Sequence, residues 1–320
     1  MKKTILVTGA AGFIGFHFAK ACVEAGHTVV AIDNFNDYYN VQLKHDRRKC
    51  LENQGLSVEF VDICDKEALF ALFASNSFTH VVHLAAQAGV RYSFERPEVY
   101  IKTNIEGFLN VLEALRQTPK TKLIYASSSS VYGVNDKIPF SLDDNTDRPS
   151  NIYGMTKKSN ELMAYSYYHL YGIQSLGMRF FTVYGPWGRP DMAYFSFTKA
   201  ILEGKAIDVY NRGECYRDFT YIDDVVSALQ NALDCNCGYQ LFNIGNSHPE
   251  SVHTLISLIE QKTKRKAVQN LLPMQKGEIE KTYADITTAE KLLQFKPKIS
   301  LADGIARFVD WYIAYHNICV

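Results

Sequence analysis

Thr4-Ile5-Leu6-Val7-Thr8-Gly9-Ala10-Ala11-Gly12-Phe13-Ile14-Gly15 is the stretch that decides the fold. The β-branched and apolar run Thr4–Thr8 reads as a buried strand. Three evenly spaced glycines follow it, and a helical pattern takes over from Phe16. Glycine permits a tight turn, a close approach of backbone to an anion, and close packing of a helix on a strand. Free N–H groups at the start of the helix then face that anion. Spaced glycines alone are a weak sign; between a first strand and a first helix they mark a pyrophosphate-binding turn. Lys2-Lys3 ahead of this run imitates a secretory signal, but the glycines break the apolar stretch and His17 and Lys20 follow closely.

Working outward, apolar runs Thr28–Asp33, Val58–Asp62, His80–Ala86 and Lys122–Ser128 alternate with helical patterns Phe16–Ala25, Lys66–Ala74 and Thr103–Gln117. A long helical pattern, Ile152–Tyr171, precedes a further apolar run, Ser175–Phe181. Such alternation predicts an α/β fold: a Rossmann-type, doubly wound parallel sheet with helices on both faces. After Tyr184 the texture changes to loop, Gly185-Pro186-Trp187-Gly188-Arg189-Pro190, and then to shorter elements. Helices are expected near Tyr194–Glu203, Asp223–Leu233 and Val252–Lys262, and strands near Ile207–Tyr210 and Phe219–Ile222. The expected organisation is a dinucleotide-binding domain over 1–184 and a smaller C-terminal α/β substrate-binding lobe over 185–320, with chain crossings between them.

Bulk charge narrows the function classes. Lys plus Arg and Asp plus Glu both number 34, so no bulk field draws the chain to nucleic acid or to a membrane surface. No segment approaches the roughly 18 uninterrupted apolar residues of a membrane helix. The seven cysteines are odd in number and scattered. Cys235-x-Cys237 has neither redox spacing nor a second ligand pair, so reduced thiols, a cytoplasmic setting and no metal site are expected.

Particular residues carry chemistry. Asp33 ends the second strand, where a carboxylate accepts bonds from adenosine ribose hydroxyls and repels a 2′-phosphate. Asn34 follows it, and no Arg or Lys adjoins Asp33 in the sequence. NAD is therefore expected rather than NADP. Asp62 ends the third strand, as an adenine contact or a turn former. Tyr153 and Lys157 stand four apart in a helical pattern, hence on one face. A neighbouring ammonium and a positive nicotinamide ring favour the phenolate. Ser127-Ser128-Ser129-Ser130 ends the fifth strand, at the sheet edge where open α/β folds bind ligands.

With Gly9-x-x-Gly12-x-x-Gly15, Ser128 and Tyr153-x-x-x-Lys157 in this order, the chain resembles the extended short-chain dehydrogenase/reductase family. The blocks His83–Arg91, Ser127–Gly133 and Arg217–Asp224 are similar to those of sugar-nucleotide epimerases. Arg179–Met192 resembles the UDP-glucuronate 4-epimerases in particular; related UDP-galactose 4-epimerases carry Asn at the position of Thr182. The resemblance implies Tyr153, Lys157 and Ser128 as catalytic residues, and a UDP-sugar oxidised at C4 and re-reduced on its other face. It implies NAD contacts from Gly9, Gly12, Phe13, Ile14 and Gly15. Asp33, Asn34, Asp62 and Ile63 would follow, then Leu84, Ala85, Ala86, Gln87 and Asn104, and finally Tyr153, Lys157, Phe180 and Val183. Substrate contacts are expected from Arg91, Ser93, Ser129, Thr182, Arg189, Arg217 and Glu278. Related dehydratases and decarboxylases carry a carboxylate just before the Val131-Tyr132-Gly133 equivalent; here Ser130 stands there. The resemblance also implies a homodimer through a four-helix bundle of Thr103–Gln117 and Ile152–Tyr171. Three alternatives stay open: a 4-epimerase for another UDP-hexose, UDP-N-acetylhexosamine or its uronate; a UDP-glucuronate decarboxylase; and, of another class, a non-catalytic NAD-binding regulator. Asp223 and Asp224 are read as helix caps, His83 as a satisfied core histidine, and the Tyr165–Tyr168 cluster as packing.

Overall fold

The computed structural model describes residues 1–274 and 280–319. Its main sheet has seven strands, six of which we label β1 (Thr4–Thr8), β2 (Thr28–Asp33), β3 (Val58–Phe60), β4 (His80–His83), β5 (Lys122–Ser128) and β6 (Ser175–Phe180). The seventh is Tyr239–Ile244, through which the chain returns to the sheet beside β6. All pairs are parallel, in the order seventh strand, β6, β5, β4, β1, β2, β3. Strand order therefore reverses between β1 and β4, and the crevice beyond their C-terminal ends is where such sheets bind ligands.

Alternate residues of each strand feed opposite layers. Ile5 and Val7 join Val82, Ile124 and Met178 in one core; Leu6 joins Ile32, Val81, Leu123 and Tyr125 in the other. On the first face helix Phe13–Glu24 packs on helix Ile222–Ala232. On the second, helices Lys66–Ser75, Phe108–Gln117 and Ile152–Tyr171 cover the sheet. Gly177 in β6 makes room for Tyr125, since a Cβ there would sit 2.6 Å from the tyrosine hydroxyl.

Several boundaries differ from expectation for identifiable reasons. β4 ends at His83 rather than Ala86, because the Leu84 and Ala85 N–H groups turn to the Thr8 hydroxyl, both at 3.2 Å. β3 ends at Phe60, since Asp62 is occupied in a local turn with Cys64 N at 2.8 Å. The helix expected from Thr103 is preceded by a π-helical stretch, Ile101–Gly107, and is regular only over Phe108–Gln117. Asp223 and Asp224 do not cap their helix: it starts after Tyr221 with no side-chain cap, and the Asp224 carboxylate instead accepts from Lys298 N and Ile299 N at 3.1 and 3.2 Å. Further helices are Gln42–Glu52, Ala193–Leu202, Val252–Thr263, Thr287–Leu293 and Leu301–Tyr315. The last packs through Phe308 and Trp311 on Phe195, Tyr194 and Trp187. No described helix is long and apolar enough to cross a membrane.

Candidate active site

The cofactor side of the cleft is built largely from backbone. Gly9 has φ +70, and a Cβ on it would lie 2.7 Å from Ala85 N. A Cβ on Gly15 would collide with the Gly9 carbonyl. Helix Phe13–Glu24 begins after Gly12 with no side-chain cap, so its first-turn N–H groups remain available to an anion. Asp33 is buried and accepts from Ala11 N at 3.1 Å and Phe35 N at 2.8 Å, which leaves lone pairs on both oxygens for ribose hydroxyls. Gln87 borders the cleft with its Nε2 buried near the Tyr100 hydroxyl. This set fits a dinucleotide.

One premise of the cofactor expectation is corrected. A cation does stand beside Asp33: Lys44, from helix Gln42–Glu52, is buried with its Nζ 4.0 Å from Asp33 Oδ1 and 2.8 Å from Asn36 Oδ1. The sequence neighbours of Asp33 conceal it because it arrives from the next helix.

Around the reacting end, β5 and helix Ile152–Tyr171 converge. Asn151 caps that helix through Gly154 N at 2.8 Å. Gly154 lets it press on the turn after β5, since a Cβ there would be 2.5 Å from the Ser130 carbonyl. Lys157 is buried and donates to the Ala126 carbonyl at 2.9 Å; burial lowers its pKa to about 8. Burial raises the Tyr153 phenol, while a hydrogen bond with Ser128 and the charge of Arg189 pull it down. The expected acidification by Lys157 is thus not what sets this phenol in the protein alone. Ser128 and Arg189 oppose burial, and the nicotinamide cation is the further positive charge available when cofactor binds. Behind them lies a buried ion pair: Arg179 grips Glu161 with two bonds of 2.8 Å, and Ser127 donates to the same carboxylate at 2.7 Å. It registers the Ser127–Ser128 strand end against the Tyr153 helix. His83 is satisfied as expected. Thr8 Oγ1 already accepts from two N–H groups, so its proton goes to His83 Nδ1 at 2.9 Å, and burial lowers that imidazole to about 3.

A dinucleotide turn, a strand-end serine and a Tyr-x-x-x-Lys helix meeting at one cleft is the arrangement of a hydride-transfer enzyme. Residues 5–245 match the NAD dependent epimerase/dehydratase family. The chain belongs to that family. It is 47% identical over 98% of its length to UDP-glucuronate 4-epimerase 4 of Arabidopsis thaliana, spanning 76% of that protein. The crystal structure of a UDP-glucuronic acid 4-epimerase from Bacillus cereus, in complex with UDP-glucuronic acid and NAD, matches with a TM-score of 0.91 at 36% identity. That match covers 98% of this chain and 99% of the other. A UDP-glucose 4-epimerase from Thermotoga maritima, solved with UDP-glucose, matches at TM-score 0.89 and 30% identity over 98% and 99%. The cofactor of this family member is NAD.

Within the epimerase/dehydratase frame, most of the expected residues meet. Gly9, Gly12, Phe13, Ile14, Gly15, Asp33, Asn34, Ile63, Leu84, Ala85, Ala86 and Gln87 border the cofactor cleft, as do Ser128, Tyr153, Lys157, Phe180 and Val183. Asp62 and Asn104 do not. The Asp62 carboxylate steadies Asn34 at 3.0 Å. Asn104 is turned inward, bonding Gln87 N and O at 2.8 and 3.0 Å and Thr156 at 3.0 Å, so it supports the cofactor wall from behind. Arg91, Thr182, Arg189 and Arg217 gather in an adjoining cleft. Arg91 lies 5.2 Å from the Tyr210 ring centre. Arg217 donates to the Tyr216 and Glu280 carbonyls at 3.0 and 3.2 Å. Ser93 is corrected: it is fully buried and gives its hydroxyl to the Val90 carbonyl at 2.6 Å, shaping the turn that carries Arg91. Ser129 heads the turn after β5 and borders neither cleft. Glu278 lies outside the described residues.

Arg189 borders both clefts. It is paired with Asp191 at 3.0 and 2.5 Å, and Tyr38 donates to the same carboxylate at 3.1 Å. Against the upward pull of burial, the Arg189 charge holds Asp191 below the usual carboxylate range. Tyr38 and Asp191 escape sequence reasoning. An Arg-x-Asp spacing is too common to signal a site, and Tyr38 approaches from a loop after β2. All seven cysteines are free thiols. Among the described residues no cluster could hold a metal ion.

Proposed function

We propose that this chain interconverts UDP-glucuronate and UDP-galacturonate by inverting the sugar at C4, with NAD retained between turnovers. The observation that carries this reading is that Tyr153, Ser128 and Lys157 share one cleft with Arg189, which also borders the adjoining cleft, in a chain similar throughout to named UDP-glucuronate 4-epimerases. Bound NAD supplies a group that accepts a hydride and gives it back. The protein's own task is the proton. Tyr153 accepts the proton of the sugar 4-hydroxyl and later returns it, and Ser128 bridges phenol and substrate oxygen. Lys157, held by the Ala126 carbonyl, steadies the nicotinamide ribose. Arg189, Arg91 and Arg217 meet the diphosphate and uronate charges, for which a guanidinium fork is suited. Thr182 offers its hydroxyl to the uronate carboxylate.

A 4-keto uronate is a β-keto acid, so the site must also withhold the proton traffic that leads to loss of carbon dioxide. Hydroxyls fill positions 127–130. Asp191, a carboxylate in the substrate cleft, is tied up by Arg189 and Tyr38. Both features support epimerisation over decarboxylation. The chain acts as a cytoplasmic homodimer paired through the two helices outside the sheet. Exposed Leu162, Tyr165, Leu170 and Tyr171 on one, with Ile101 and Leu109 beside the other, support this pairing; sedimentation of the purified protein tests it.

Incubation with UDP-glucuronate, UDP-glucose and UDP-N-acetylglucosamine, with separation of products, tests the activity. UDP-galacturonate from the first, at far higher kcat/KM than any product from the others, is expected. A UDP-pentose, or preferential turnover of a neutral sugar, contradicts it.

A further inference from the structure

Helix Gln42–Glu52 sends into the interior a guanidinium that the chemistry above does not use. Arg47 is fully buried. Its Nη1 donates to the Ala11 carbonyl of the glycine turn at 2.9 Å and to the Tyr39 hydroxyl at 2.7 Å. Its Nε and Nη2 donate to the Trp187 carbonyl at 3.2 and 2.6 Å, and Nη2 reaches the Gly188 carbonyl at 3.2 Å. One residue earlier, the Pro186 carbonyl accepts from His17 Nε2 at 2.9 Å. His17 stands on the helix that the glycine turn opens. Three successive carbonyls, Pro186 to Gly188, are thus held by two side chains from the cofactor side, and the next residue is Arg189.

The held segment has little freedom of its own. Trp187 adopts φ +62, a left-handed conformation that a bulky side chain rarely takes. A Cβ on Gly188 would collide with the Tyr194 hydroxyl. Charge adds the second observation. Among the described residues Arg47 forms no ion pair; its donors are spent on carbonyls and a phenol. A buried charge satisfied only by neutral acceptors remains uncompensated, which is costly. A diphosphate held at the glycine turn, whose Ala11 carbonyl already accepts from this guanidinium, would supply the missing counter-charge.

We propose that Arg47 is a positioning residue that couples the two ligand sites, so that an anion on the glycine turn and an ordered Trp187–Arg189 segment stabilise each other through its guanidinium. This rests on the reading of the two clefts as cofactor and UDP-sugar sites. A purely structural bolt would lower stability without altering how one ligand affects the other; a coupling residue alters that ratio.

The test measures the affinity of UDP for NAD-free and NAD-loaded protein, in the wild type, Arg47→Met and Arg47→Lys. Trp187 and Trp311 are the only two tryptophans and lie 5.3 Å apart, so tryptophan emission reports the segment directly. In the wild type NAD tightens UDP binding about tenfold and changes the emission. In Arg47→Met both ligands still bind, the ratio falls to within about twofold, and the emission response to NAD is lost. Arg47→Lys, with the charge but not the fork, lies between. Should Arg47→Met fail to fold, Tyr39→Phe removes a single acceptor of the guanidinium and lowers the ratio by about two- to threefold. An unchanged ratio in the folded variants, or a wild type that binds both ligands without coupling, overturns the proposal. A wild type that binds neither NAD nor UDP overturns the reading of the clefts instead.

Discussion

In the cofactor cleft the ligand-facing groups are mostly main chain: the glycine turn, the uncapped start of helix Phe13–Glu24, and the Leu84–Gln87 segment after β4. In the adjoining cleft, which we read as the substrate site, side chains dominate, with Arg91, Thr182, Arg189 and Arg217 brought from separate segments. Main-chain recognition requires particular backbone shapes, and those leave glycines at fixed spacing. Side-chain recognition requires only that long residues converge, and their partners in the folded chain decide what each has left to offer. Arg189 shows this, since Asp191 and Tyr38 already engage it.

The largest effect expected is at Tyr153, in the cofactor cleft. Tyr153→Phe keeps the ring and removes the hydroxyl, so turnover falls by about a thousandfold while bound NAD, released by denaturation and measured by absorbance, stays stoichiometric. Near-normal turnover breaks the assignment of the base.

Next comes Lys157, whose pKa burial lowers from 10.5 to about 8. Below pH 8 the folded protein carries a buried ammonium that the unfolded chain would keep in water, and that costs stability. The cost is relieved as pH rises from about 8 towards 10.5, where the unfolded chain binds the proton that the folded one has released. Lys157→Met, without cofactor, is therefore inactive yet more stable than wild type by up to about 3 kcal/mol at pH 7. In urea unfolding the gap closes towards pH 10; a gap independent of pH contradicts the assigned cause.

Gly9→Ala strikes the main-chain cleft alone. With the left-handed backbone at φ +70 and the 2.7 Å approach to Ala85 N, an added methyl makes the turn relax away, and re-forming it on NAD costs about 2 kcal/mol, or roughly thirtyfold in affinity. UDP binding to the NAD-free protein is unchanged, and equal loss at both sites would erase the distinction between the clefts. The smallest effect is at Asp191→Asn, which frees the partly exposed Arg189 from its partner. KM for the UDP-sugar falls a few-fold, in keeping with about 1 kcal/mol for such a pair; a rise in KM would mean that Asp191 aims the guanidinium rather than competes for it.

The same contrast explains what was legible. β1, the glycine turn and Tyr153-x-x-x-Lys157 could be read because their chemistry is local and periodic. The seventh strand, Tyr239–Ile244, was not, since its place beside β6 depends on a long return of the chain. Helix Gln42–Glu52 has only Leu43 and Leu51 as large aliphatic residues, and its charge suggests a solvated face. Yet Lys44 and Arg47 point inward, where Asp33 and loop carbonyls receive them. Asp62, Ser93 and Asn104, expected to touch the ligands, lie near the site as supports instead. Each spends its polar atoms on neighbouring groups of the chain, as a turn or a wall requires. Nothing in residue type distinguishes a hydroxyl offered to a ligand from one offered to a carbonyl three residues back.

The most direct test follows the hydrogen at C4. UDP-glucuronate carrying deuterium at that carbon is incubated with the NAD-loaded protein and the products are read by mass spectrometry and NMR. UDP-galacturonate that keeps its deuterium at C4, with no carbon dioxide evolved, is the predicted outcome. Deuterium lost to water, or a labelled UDP-pentose in place of the uronate, would contradict the account.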